Sequence, residues 1–414
     1  MLKRVRCDQL RVGMFLHELC GSWMDHPFWR SAFLLSSQQE LDSLRNSAIR
    51  EVWIDTAKGL DVAADETPPD EDLASVERAV EVELLELAES PAVPAPCSMA
   101  EELQRASRIC RKAKDAVQSM FSEARMGKAL DTADALPLVE EISNSVMRNP
   151  GALISLARLK TKDNYTYMHS VAVCALMVAL SRQLGQDAQQ TREAGMAGLL
   201  HDLGKMWIPP EILNKPGRLT DAEFDVVRRH PLEGWQALRE AQGVSEVTLD
   251  VCLHHHEKMD GSGYPHHLPA AQISLFARMG AVCDVYDAIT SNRPYKKGWC
   301  PAESLRKMTE WCKGHFDEDI FHAFVRSLGI YPIGSLLRLK SGRIAVVIEQ
   351  SGTSLLAPIV LAFFSTRSNA RIIPVIVDLS EKSCRDGIAG REDPAKWNFP
   401  DLDALWLGEM ARIT

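Results

Sequence analysis

No apolar stretch in this 414-residue chain is long enough to cross a bilayer. The longest runs, Val171–Leu180 and Leu355–Phe364, reach ten residues each, half of the roughly 20 that a membrane span needs. The charged start, Met1 to Gly21, lacks the apolar core of a secretion signal. The ten cysteines include no C-x-x-C pair and no framework spacing, which argues against a zinc ribbon or disulfide scaffold and for reduced thiols. No block of Lys or Arg forms a nucleic-acid footprint. These absences predict a cytoplasmic protein with no membrane and no nucleic-acid partner. What is present is ordinary for a folded chain: 46% hydrophobic and 25% charged residues, at a length that allows two or three domains.

The net charge of −9 is local. Between Asp61 and Pro96 eleven acids face one base, Arg78, so the remainder of the chain stands at +1. The same stretch holds five prolines, and Leu73, Val76, Val80, Leu84 and Leu87 recur at helical spacing. It reads as a linker, 61–97, with an amphipathic helix and a solvated acidic face.

Ahead of it, residues 1–60 read as a small α+β domain. Ser37 and Glu40 form a capping box for a short helix, and Val52-Trp53-Ile54 reads as a strand. The aromatic group Trp23, Phe28, Trp29 and Phe33 suits a compact core or a ligand surface. After the linker, Ser98 and Glu101 cap a helix to about Gly127 within a connecting segment, 98–130. Its seam of Leu103, Ala106, Cys110, Ala113, Val117, Met120 and Ala124 suits a homodimer or packing on the chain's own bundle. Residues 131–332 read as helix after helix, with a capping box at Thr220 and Glu223 and an apolar helix over Ile273–Ser291. Residues 333–414 form a β-rich appendage with strands at Leu336–Leu339, Ile344–Glu349 and Ile372–Asp378. The fold class expected is mainly α.

Six of the twelve histidines fall in four clusters within that helical region. They are His169, His201 beside Asp202, His230, and His254-His255-His256 ahead of Glu257. Asp284 and Asp287, three apart, share a face of the next helix. A helix bundle with converging polar side chains is a common metal site, and burying so many polar groups without a shared ligand is costly. Mixed imidazole and carboxylate donors favour Fe, Mn, Zn or similar ions over Mg or Ca. A carboxylate such as Asp202 can bridge two ions about 3.5–4 Å apart, as in two-metal phosphohydrolases. Asp260-Gly261-Ser262-Gly263-Tyr264-Pro265 is a glycine-rich loop able to approach a ligand closely. Arg293-Pro294-Tyr295-Lys296-Lys297 offers bases for a phosphate, or is only a solvated helix end.

His201-Asp202-Leu203-Gly204-Lys205, His255-His256-Glu257 with Gly263-Tyr264-Pro265, Asp284-Val285-Tyr286-Asp287-Ala288 and Arg293-Pro294-Tyr295 together resemble the HD-GYP domain, from about 140 to 330 and in the right order. Residues 1–60 resemble the small domain often found in front of it. The resemblance implies an HD-superfamily bundle that hydrolyses the bacterial second messenger cyclic di-GMP at a two- or three-metal centre. It implies His169, His201, Asp202, His230, His255, His256 and Asp284 as metal ligands. Lys205 would contact the scissile phosphate or leaving oxygen, Arg293 and Lys296 would hold a substrate phosphate, and Gly263 and Tyr264 would shape the loop over the site. His254, His266 and His267 receive no role.

Some members carry a Glu one helical turn before the first His, serving a third metal. Here Tyr165 takes that place, and a phenol with an ordinary pKa of about 10 is a poor substitute. The expectation is therefore two ions, iron or manganese, with Asp202 and Lys205 at the centre of catalysis and pGpG or GMP as product. Two rival readings remain: a metal phosphohydrolase acting on other nucleotides, and a non-catalytic regulator that senses cyclic di-GMP or binds GGDEF-domain proteins.

Overall fold

The computed structural model describes residues 2–20, 32–47, 49–62, 97–127, 131–159, 165–215, 217, 219–292, 298–397 and 399–408. Trp23, Phe28, Trp29, the acidic helix over 73–87 and the Arg293–Lys297 segment lie outside the described residues.

The N-terminal sheet is antiparallel, in the order β1-β4-β2-β3, from β1 (Leu2–Arg6), β2 (Phe15–Leu19), β3 (Phe33–Leu34) and β4 (Glu51–Asp55). Helix α1 (Gln38–Arg45) starts where Ser37 and Glu40 satisfy each other's backbone N–H groups. It buries Leu41 and Leu44 against Val5, Leu16, Val52 and Ile54 in a core of its own.

Twelve further helices of the described residues follow before the second sheet: α2 (Met99–Arg125), α3 (Leu136–Arg148), α4 (Pro150–Arg158), α5 (Tyr165–Gln183), α6 (Ala188–Leu200), α7 (Pro210–Leu213), α8 (Asp221–Val227), α9 (His230–Arg239), α10 (Glu246–His254), α11 (Leu275–Thr290), α12 (Pro301–His315) and α13 (Glu318–Leu328). The apolar run Val171–Leu180 lies within α5, which is buried on all sides, as a helix without a polar face must be. Helices α6, α4 and α11 pack around it.

The seam of α2 is buried inside the chain, where Leu103, Ala106, Cys110, Ala113, Val117 and Ala124 join the bundle core. A homodimer would therefore need another surface. Glu102, on the same helix, accepts hydrogen bonds from Ser145 and from both Nε and Nη2 of Arg148 on α3.

The second sheet, β5 (Leu336–Leu339), β6 (Arg343–Glu349), β7 (Ile359–Ser365), β8 (Ala370–Asp378) and β9 (Ile388–Arg391), is antiparallel in the order β8-β7-β6-β5-β9. Two short helices, α14 (Pro394–Trp397) and α15 (Leu402–Leu407), close the described chain. The sheet shares one continuous core with the helices. Glu349 of β6 accepts the backbone N–H of Met99 at the start of α2. The N-terminal sheet is pinned to the bundle by an ion pair between Glu18 of β2 and Lys307 of α12.

Candidate metal centre

Five helices meet with polar side chains at one buried point. His169 comes from the first half of α5, and His201 caps the C-terminus of α6, with Asp202 following it. His230 opens α9, His255 caps α10 with His256 next, and Asp284 sits within α11. All seven side chains are buried.

They fall into two groups: His169, His201, Asp202 and Asp284, and then His230, His255 and His256. Within each group the candidate ligand atoms lie within 4.8 Å of one another. Asp202 joins the groups. Its Oδ2 is 3.2 Å from His169 Nε2 and 3.3 Å from His201 Nε2. Its Oδ1 is 3.3 Å from His230 Nε2 and 3.8 Å from His255 Nε2. Asp284 completes the first group, with Oδ1 2.9 Å from His169 Nε2, and turns Oδ2 to within 3.8 Å of His256 Nδ1.

The imidazoles are held from behind. His201 Nδ1 donates to the Gly198 carbonyl, His230 Nδ1 to Val227, and His255 Nδ1 to Val251 and Cys252. Carbonyl oxygens only accept, so the ring proton sits on Nδ1 and Nε2 faces the site as a lone-pair donor. His169 has a carboxylate behind it instead, Asp287 Oδ2, at 2.6 Å from Nδ1. Such backing fixes the ring orientation of metal-binding histidines and raises their basicity.

Electrostatics differ between the two groups. Burial opposes the imidazolium of His169, but Asp202, Asp284 and Asp287 outweigh it and hold the pKa well above the ordinary value. His201 is raised likewise, its burial overcome chiefly by Asp202. In the second group burial, reinforced by His201 and His230, pushes His255 down to about 3. His256 is lowered by burial and by His255. Both are neutral at physiological pH, the form that binds a cation. Asp202 is held far below the carboxylate range because His201 and Lys205 outweigh its burial. Lys205 Nζ donates to Asp202 Oδ2 at 2.5 Å. Its pKa is raised, since Asp202 and Asp284 overcome the burial that works against the ammonium.

The donor set fits a pair of transition ions. Five imidazoles and two carboxylates converge, the nitrogen-rich mixture that Fe, Mn or Zn accept and Mg or Ca do not favour. His201 Nε2 and Asp202 Oδ1 are buried and make no hydrogen bond among the described residues, and such orphaned atoms are costly unless a cation takes them.

The glycine-rich loop closes one side. Tyr264 stacks on His256, ring centroids 4.7 Å apart at 27°, and its backbone N–H donates to the His256 carbonyl. A Cβ at Gly263 would lie 2.3 Å from Lys258 N and 2.4 Å from Glu257 Cα, so only glycine lets the loop lie this close. Three residues beyond the expected ligands shape the centre. Buried Glu257 accepts the backbone N–H groups of His266 and Leu268, tying the loop to the His255–His256 segment. Asp287 backs His169. Gly204 lies so close to α9 that a Cβ would stand 1.9 Å from the His230 carbonyl oxygen. The shared face of Asp284 and Asp287 was the sequence signal for the second of these; the other two lay inside recognised motifs without a readable role. His254 makes a side network instead, with Nδ1 2.7 Å from Asp250 Oδ1 and Nε2 3.1 Å from His266 Nδ1.

A family model described as "HD domain" matches residues 142–320, and one described as "Domain of unknown function (DUF3391)" matches residues 2–135. The chain is 57% identical over 417 aligned residues to "Cyclic di-GMP phosphodiesterase PA4108" of Pseudomonas aeruginosa, an alignment covering 100% of this chain and 97% of that protein. The chain belongs to the HD-GYP family of HD-domain phosphodiesterases. Shorter matches reach other relatives. "Cyclic di-GMP phosphodiesterase response regulator RpfG" of Xanthomonas campestris pv. campestris is 46% identical over 29% of this chain and 32% of that protein. "3'3'-cGAMP-specific phosphodiesterase 1" of Vibrio cholerae is 34% identical over 42% of this chain and 41% of that protein. No helix among the described residues is long and apolar enough to cross a membrane.

Proposed function

We propose that this HD-GYP protein hydrolyses cyclic di-GMP to pGpG, GMP or both, in the cytoplasm, at a centre of two divalent transition ions, iron or manganese. The observation that carries the reading is the division of Asp202, one oxygen turned to each group of histidines. The full-length likeness to a protein named as a cyclic di-GMP phosphodiesterase supports the substrate. His169, His201, Asp202 and Asp284 would hold one ion, and His230, His255 and His256 the other, with Asp202 shared. When bound, such a pair supplies Lewis-acid polarisation of a phosphoryl oxygen and a water of lowered pKa.

The protein's own groups orient and neutralise. Lys205, a partly buried ammonium beside Asp202, can donate to a phosphoryl oxygen or to the departing 3′ oxygen, where negative charge grows in the transition state. Tyr264 and Gly263 narrow the approach on the His256 side. Arg293 and Lys296, by the family motif, would hold a substrate phosphate. Tyr165, stacked on His169 at 6.0 Å, stands where a carboxylate would recruit a third ion, which supports a binuclear centre. GGDEF-domain proteins remain proposed partners on the same family ground.

The test is to incubate metal-analysed protein with cyclic di-GMP and separate the products by chromatography. Conversion to pGpG or GMP is expected. Tight binding without product would favour the regulatory reading, and turnover only of other nucleotides would favour the rival hydrolase.

A further inference from the structure

Helix α8 lies between the HD pair and His230, and one turn of it faces the loop over the metal centre. Phe224, half-buried, meets Tyr264 edge to face, ring centroids 6.4 Å apart at 80°. Tyr264 stacks in turn on His256. The Arg228 guanidinium lies over Phe224 at 5.1 Å from the ring centroid, and forms an i,i+3 ion pair with Asp225. A row of flat groups thus runs outward from a candidate metal ligand: His256, Tyr264, Phe224, Arg228. The same segment fixes the centre, because the Val227 carbonyl accepts from His230 Nδ1.

A dinucleotide whose phosphate lies at the metals must extend its bases away from them, and aromatic rings with a guanidinium are what stack nucleobases. The edge chemistry is selective. Guanine presents O6 and N7 as neighbouring acceptors, which suit the two-pronged fork of arginine, and beside them the N1–H and N2–H donors, which suit a carboxylate. Adenine presents the N6 amino donor where guanine has O6, and an acceptor at N1. Opposed to an arginine and an aspartate, adenine mismatches at both.

We infer that Phe224, Asp225 and Arg228 form a nucleobase subsite that selects guanine over adenine in the cyclic dinucleotide. This rests on the proposed cyclic dinucleotide hydrolysis. Phe224 supplies the stacking face once the Arg228 guanidinium swings off its ring, and the Asp225–Arg228 pair reads the base edge.

The test compares kcat/KM of the metal-loaded wild type and its Arg228→Gln, Asp225→Asn and Phe224→Leu variants on cyclic di-GMP, cyclic di-AMP and the baseless diester bis(p-nitrophenyl) phosphate. Arg228→Gln and Asp225→Asn should each lower the cyclic di-GMP to cyclic di-AMP ratio by about tenfold, mainly through KM. Phe224→Leu should lower both dinucleotides relative to the baseless diester by about tenfold. Wild-type turnover of cyclic di-GMP with that ratio unchanged in both edge variants would overturn the subsite and leave the parent activity standing. A wild type that cleaves the baseless diester and neither dinucleotide would overturn both.

Discussion

Asp287 Oδ2 lies 2.6 Å from His169 Nδ1, on the side of the ring away from the rest of the centre. That contact sets the tautomer of His169 and aims its Nε2 at Asp202 and Asp284. An Asp287→Asn variant keeps the shape and removes the charge behind the ring. It should weaken metal binding or turnover by roughly 10–100-fold, the usual cost of losing such a backing group. Metal titration of the purified variant beside the wild type measures it; equal affinity would mean that Asp287 serves only the fold.

The proposed count of two ions turns on Tyr165. A Tyr165→Glu variant places a carboxylate one helical turn before His169, and elemental analysis should rise from two ions per chain towards three. Tyr165→Phe should stay at two. A count of three in the wild type would contradict the binuclear reading.

Gly204 belongs to the HD motif for a steric reason. Any Cβ there collides with the backbone at His230 and Gly234, so Gly204→Ala must push α9 outward and carry His230 with it. The second group of ligands should lose affinity while the first is little changed. A fall in metal content of about one ion per chain in folded protein, judged by circular dichroism, is the expected result.

Glu102 offers a stability test remote from the metals. Burial raises its pKa, but Arg148 and Ser145 outweigh burial and the net shift is downward. A carboxyl with a depressed folded-state pKa stabilises the fold fully above its unfolded value, about 4.3 for Glu. That contribution is lost as pH falls through the folded value. Glu102→Gln should cost roughly 1–3 kcal/mol near neutral pH by denaturant unfolding, and the gap to wild type should narrow below about pH 4. A gap independent of pH would remove the charge from the explanation.

Local signals made much of the fold legible. Ser37 with Glu40, Ser98 with Glu101 and Thr220 with Glu223 each form the capping box that their spacing announces. The strand at Val52–Ile54 and the helix over Ile273–Ser291 are present as β4 and α11. Long-range pairing was not legible. Strand β4 lies between β1 and β2, an order no local pattern encodes. Strands β7 and β9 were not singled out, β7 because its run Ile359–Phe364 is apolar without alternation, the mark of a strand packed on both faces rather than one. Whether the α2 seam faced another chain or its own bundle depended on packing partners far along the chain.

At the centre, residue types and helical context pointed to a metal site, the family resemblance singled out seven ligands, and the structure brings those seven side chains together. What spacing could not convey is how they are divided. The assignment of His169, His201 and Asp284 to one side of Asp202, and of His230, His255 and His256 to the other, depends on which turns of α5, α6, α9, α10 and α11 come together. The carbonyls behind His201, His230 and His255 lie three or four residues back in the same segment, whereas Asp287 reaches His169 from another helix.

The most direct test of the shared carboxylate is elemental analysis of wild-type and Asp202→Ala protein, paired with cyclic di-GMP hydrolysis on the same samples. Two transition ions per chain in the wild type, with ions and turnover both lost in the variant, is the predicted result. An Asp202→Ala protein that keeps two ions and hydrolyses at the wild-type rate would contradict it.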